Sequence, residues 1–171
     1  MTWLKSKLEK FATHRRDQSI RRSFDQLLAI KLDAATPSVQ TAFHDLINAC
    51  PPEDLDHFHI EVFRDTPDFA FYVYAMAIDN RQLKDHAALL EFQDKINRIW
   101  PLFSSEERDA FTLWENDPKW GPQEALYQPL DNKNCVAAAK PWFIKILQIA
   151  REGRSMPFTF ASHDGTPPEH I

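Results

Sequence analysis

Three side chains within one short stretch are of the types that hold a metal ion. In His57-Phe58-His59-Ile60-Glu61, two imidazoles and a carboxylate recur at every second residue. On an extended strand, alternate side chains point the same way, so the three would share one face. Such a set suits a transition ion, and a metal-dependent hydrolase would use it to activate water. A helix over the same residues would keep only His57 and Glu61 together, one turn apart. The sequence supplies no evident fourth ligand. A solvated strand face accounts for the same pattern, so the leading expectation is a chain with no metal and no cofactor.

A second constellation is built for contact rather than catalysis. Trp114-Glu115-Asn116-Asp117-Pro118-Lys119-Trp120-Gly121-Pro122-Gln123-Glu124 sets two Trp among three acids. Trp is enriched at the centres of protein interfaces, and carboxylates around it steer a basic partner. The alternative is that both rings pin the segment onto the core. Asp65 and Asp68, in the turn-like Arg64-Asp65-Thr66-Pro67-Asp68, would extend the same acidic surface.

Other reactive types stand in unpromising company. His44-Asp45 and the pair His86 and Glu91 do not match the two-His, one-Glu helical zinc motif. There is no Gly-x-Ser-x-Gly, and three glycines in 171 residues leave no Gly-rich phosphate loop. Cys50 precedes Pro51-Pro52 at a helix end, where the helix dipole raises a thiol's pKa. Cys135, near a helix start, is the better placed of the two.

The elements that would position these residues are mostly helical. Leu4, Leu8 and Phe11 give a helix over 3–12. Ile20, Phe24, Leu27, Leu28 and Leu32 continue or restart it over 17–33, and no Gly or Pro divides the two. Thr36-Pro37 reads as the cap and first residue of another helix, which Pro51-Pro52 ends. Residues 57–79 alternate as strands and carry β-branched and aromatic types, so a small β-hairpin is expected there, with a pair of helices as the rival. Helices follow over 83–99 and from Ser104, whose spacing to Glu107 is a capping box. The last runs from Asn132 or Asn134 to about Glu152, with Pro141 inside it and Gly153 as its stop. From Ser155 the chain is expected to be irregular. The expectation is a mostly α (α+β) single domain, 1–171, with five or six helices around one core and the hairpin at about 57–79.

Composition bounds the function. The chain has 43% hydrophobic residues, five Trp and 13 Phe, ample for a core without disulfides. Its longest apolar run, Phe69 to Ile78, is too short to cross a membrane as a helix, and no signal-like stretch follows the charged start. The cytoplasm is the expected address, with both thiols reduced. Net charge is -5, unevenly spread: residues 1–33 carry a surplus of four basic residues, and the remainder a surplus of nine acids. An acidic body repels nucleic acid and favours basic partners. The expected function is therefore a non-catalytic protein-binding module. In specific form it is an immunity or antitoxin-type inhibitor that occludes a basic toxin or nuclease through Asp65, Asp68, Trp114, Glu115, Asp117, Trp120 and Glu124. The first alternative is the hydrolase using His57, His59 and Glu61. The second is an adaptor docking to membrane or nucleic acid through Trp3, Leu4, Leu8 and Phe11 opposite Lys5, Lys7 and Lys10. No stable membrane association is expected.

Overall fold

One apolar stripe runs unbroken along the first helix. Phe24, Leu28, Leu32, Ala35, Val39, Ala42 and Leu46 follow at intervals of three and four and are all buried. In the computed structural model, which describes residues 2–50, 55–63, 70–77, 82–83, 86–115, 132–163 and 167–171, this stripe belongs to a single helix, α1, Thr2–Ala49. Side chains are described from Arg22 in α1, apart from Ser19, up to Ala110 and again from Ala137. The helix expected to start at Thr36-Pro37 is thus the interior of α1. Pro37 removes one backbone hydrogen bond, but its ring lies on the exposed side. Thr36 is tied in beside it: its Oγ1 donates to the Leu32 carbonyl at 2.7 Å and accepts from Trp142 Nε1 at 2.8 Å.

The hairpin is present. Strand β1 (His57–Phe63) pairs antiparallel with β2 (Ala70–Met76), His57 opposite Met76 and Phe63 opposite Ala70. Its own hairpin partner is only half of what β1 has. The segment expected to be irregular supplies β3 (Phe158–Ser162), parallel to β1, and β4 (Glu169–His170), antiparallel to β3. The order is β2-β1-β3-β4, a mixed sheet with β1 interior. Phe158-Thr159-Phe160-Ala161-Ser162 is a short run buried on both faces, and Pro157 bounds it rather than forbidding it.

Three more helices follow β2. They are α2 (Ala87–Asn97), α3 (Ser105–Glu115) and α4 (Asn132–Ala150). The capping box at α3 forms as expected: Ser104 N donates to Glu107 Oε2 at 2.7 Å, and Glu107 N to Ser104 Oγ at 3.2 Å. Past α4, Glu152 and Gly153 take positive φ (46° and 82°), ending the helix where Gly153 predicts. Among the described residues there are four helices and a four-stranded sheet. The fold is therefore α+β, and neither all-helical nor five or six helices around one core. The helix count falls because α1 merges three expected helices, and the strand count doubles because the last segment extends the hairpin.

The core lies between the helices and one face of the sheet. Phe58, Ile60 and Val62 of β1 are 0% exposed, and Phe71, Val73, Phe158 and Phe160 are buried beside them. Phe43 of α1 meets the rings of Phe92, Phe143 and Phe158 at 4.8, 6.1 and 5.9 Å. From α4, Phe143 also reaches Phe71 and Phe160, at 4.9 and 6.0 Å. Each such fully buried ring contributes about 1.5–3 kcal/mol relative to exposure. No described helix is long and apolar enough to cross a membrane.

Candidate functional site

The ring contacts made by α1 and α4 to the strands go to one face of the sheet, and alternate strand residues must point to the other. Register fixes what stands there. Met76 and His57 form one cross-strand row, and Tyr74, His59, Thr159 and His170 the next. Tyr72, Glu61 and Ala161 follow, and then Ala70 and Phe63, with His163 just past β3. Neither Lys nor Arg occurs in these rows.

His57, His59 and Glu61 share this outer face, as an extended strand requires. Each is engaged with a different partner. His57 Nδ1 donates to Asp56 Oδ2 at 2.8 Å, and His163 Nδ1 donates to Glu61 Oε1 at 2.8 Å. His59 Nδ1 shares a 2.8 Å hydrogen bond with Thr159 Oγ1. Among the described residues, no three His, Cys, Asp or Glu side chains are grouped so as to hold a metal ion.

Aromatic rings link these polar groups. Tyr74 lies 6.1 Å from the His59 ring with planes 21° apart, and 6.5 Å from Tyr72 with planes 24° apart. Tyr72 abuts Phe63 edge-on at 5.2 Å and 82°, and Phe63 stacks on His163 at 4.3 Å. Five rings thus run as a continuous strip, His163-Phe63-Tyr72-Tyr74-His59. Tyr72 is 44% exposed, and the His163 side chain at the strip's end is more open still, at 59%.

The electrostatics suit binding better than proton transfer. Burial, then the neighbouring Glu61 carboxylate, pushes the Tyr74 phenol up to about 12, so it stays protonated. His59 is shifted below its ordinary value, chiefly by burial and against the pull of Glu61, which keeps it neutral near pH 7. The Thr159 hydroxyl beside it belongs to a residue only 5% exposed, which withholds it from a substrate. Elsewhere, Cys50 is buried with its Sγ 3.7 Å from His86 Nδ1, and burial raises its thiol pKa. A recess of about 430 Å³ between α1 and α4 is lined by Leu28, Leu32, Ala138 and Trp142, with Asp25 and Asp33 at its rim.

The expected partner-binding residues are not brought onto this face by any described contact. Asp65, Asp68, Asp117, Trp120 and Glu124 lie outside the described residues. Trp114 and Glu115 close α3, but their side chains also lie outside the description, as does that of Cys135 in α4. Residues 64–69, which hold Asp65 and Asp68, join Phe63 to Ala70, the strip's own end of the hairpin. Tyr72, Tyr74 and Phe63 were within reach of the sequence: two tyrosines two apart on a strand must share a face. His163 was not, because its meeting with Glu61 depends on the parallel pairing of β3. Comparison with protein-family models, curated proteins and solved structures returns no match.

Proposed function

We propose that this chain is a non-catalytic cytoplasmic protein-binding module that docks a basic partner on the outer face of its sheet. In its specific form it is an inhibitor of the immunity or antitoxin kind. The observation that carries this reading is the strip of five rings on a face to which α1 and α4 make no ring contact among the described residues. Aromatic side chains offer large contact area at low entropic cost, and they are enriched where interfaces bind tightly. The partner's sign follows from charge. Glu61 sits within the strip, no Lys or Arg stands in its rows, and the chain beyond residue 33 holds nine more acids than bases. A carboxylate-bearing surface can occupy the place where a nuclease would take its anionic substrate. Asp65 and Asp68, adjoining the strip along the chain, would extend that surface.

The test pairs capture with inhibition. The tagged chain should retain one basic protein from its native host, more weakly at high salt, and suppress that protein's activity at equimolar ratio. Tyr72→Lys should abolish both while leaving the circular dichroism spectrum unchanged. A partner held equally well by Tyr72→Lys would overturn the assignment of the face.

A further inference from the structure

We infer that Tyr72, Tyr74 and Glu61 form a slot for one arginine side chain of the partner. This rests on the docking reading and makes it specific. A flat group between two rings needs about 7 Å between their planes, two contacts of roughly 3.5 Å each. The Tyr72 and Tyr74 centroids are 6.5 Å apart with planes 24° from parallel, so a small outward swing of the exposed Tyr72 ring opens the gap. Phe63, edge-on to Tyr72 at 5.2 Å, braces that ring from the other side. On the far side of Tyr74, the His59 ring at 6.1 Å braces the second wall.

The slot's floor supplies the charge. Glu61 stands directly opposite Tyr72 in the register. Its two oxygens offer about four acceptor positions. His163 Nδ1 takes one at 2.8 Å. The positions that remain can accept two parallel N–H donors. The contact with His163 orients the carboxylate before a ligand arrives. A guanidinium is planar, stacks on aromatic faces and pairs with carboxylates through two parallel N–H bonds. A lysine ammonium is round and strongly hydrated, so it fits neither the gap nor the fork. A nucleobase would also fit between two rings, but its phosphates would meet Glu61 and no cation in the neighbouring rows. The chemistry therefore selects a partner arginine.

The test uses the full chain and short blocked peptides: Gly-Arg-Gly, Gly-Lys-Gly, the citrulline analogue of the first, and oligothymidylate. Amide and tyrosine-ring NMR shifts report binding. Gly-Arg-Gly should give saturable shifts centred on Tyr72, Tyr74 and Glu61. The lysine and citrulline peptides should bind at least about tenfold more weakly, the scale of a desolvated cation–π contact. Tyr72→Leu, which keeps bulk, and Glu61→Gln, which keeps acceptors, should each weaken the arginine peptide by a similar factor. Equal binding of the arginine and lysine peptides, indifference to both substitutions, or preference for oligothymidylate overturns the slot. A captured basic partner that tolerates Tyr72→Leu and Glu61→Gln removes the slot and keeps the docking reading. Arginine-peptide binding with no captured partner does the reverse.

Discussion

Along β1, neighbours in sequence live in opposite surroundings. Phe58, Ile60 and Val62 have no exposed surface and meet rings and aliphatic chains from the helices. Among the described residues, His57, His59, Glu61 and Phe63, one residue away each, meet side chains of the sheet itself and its flanks. Aromatic rings serve on both sides but in different company. The inner rings interlock at tilted or edge-on angles, as Phe43 does with Phe143 and Phe158. The outer rings of Tyr72, Tyr74 and His59 lie nearly parallel, with Tyr74's centroid 6.1 Å from that of His59 and 6.5 Å from that of Tyr72. The difference between the two faces therefore lies in ring orientation and polar company, and it is on the outer arrangement that the proposed docking rests.

Perturbing the two faces should separate stability from binding. The largest effect belongs inside: Phe158→Ala should cost about 3–5 kcal/mol in urea denaturation, because it leaves a cavity where the Phe158 ring packs against Phe43 and Phe58. A cost below about 1 kcal/mol would erase the distinction between the faces. Next comes a part-buried polar link on the outer face, between His59 and Thr159. Thr159→Val leaves His59 Nδ1 without its 2.8 Å partner and should cost roughly 1 kcal/mol in the same assay. A smaller, pH-dependent effect follows from His59 itself. Its folded pKa lies below the ordinary 6.5, so the unfolded chain takes up the proton first as pH falls. Stability from this group is intact above about pH 6.5 and is lost as pH drops through the lowered folded value. Urea midpoints at pH 7.5 and 5 should therefore differ less in His59→Gln than in the parent. If the two proteins lose stability in parallel, His59 is not the group responsible. The smallest effect is at the rim: Tyr72→Leu should change stability by less than about 0.5 kcal/mol while impairing partner binding.

Local signals carried much of the fold. Alternation in 57–63 predicted β1, and the spacing of Ser104 to Glu107 predicted the α3 cap that forms. Two expectations that the structure overturns share a cause. A helix start at Thr36-Pro37 and an irregular chain from Ser155 both weigh local punctuation above the pattern around it. The stripe of Leu28, Leu32, Ala35 and Val39 runs through Pro37 in phase, and that phase was the better guide. For Phe158–Ser162, no local pattern distinguishes a buried strand from irregular chain, since it is settled by pairing with residues 100 positions earlier. The site divides the same way. The shared face of His57, His59 and Glu61 follows from the period of a strand. Their separate partners, Asp56, Thr159 and His163, depend on rotamers and on β3, which no spacing encodes.

The late arrival of β3 has a consequence for how the protein is made. A ribosome adding about 5–20 residues each second reaches Phe158 roughly 5–20 s after it finishes β1 at Phe63. Throughout that interval the nascent hairpin carries Phe58, Ile60 and Val62 beside an unpaired edge, and until the chain reaches Asn132 α4 has not been begun. Hairpins form in microseconds, so this exposed template exists for nearly the whole wait. Such an edge invites pairing with other chains. Yield in the cell should then depend on translation speed between residues 63 and 158 and on chaperone supply, more than on the stability of the finished domain.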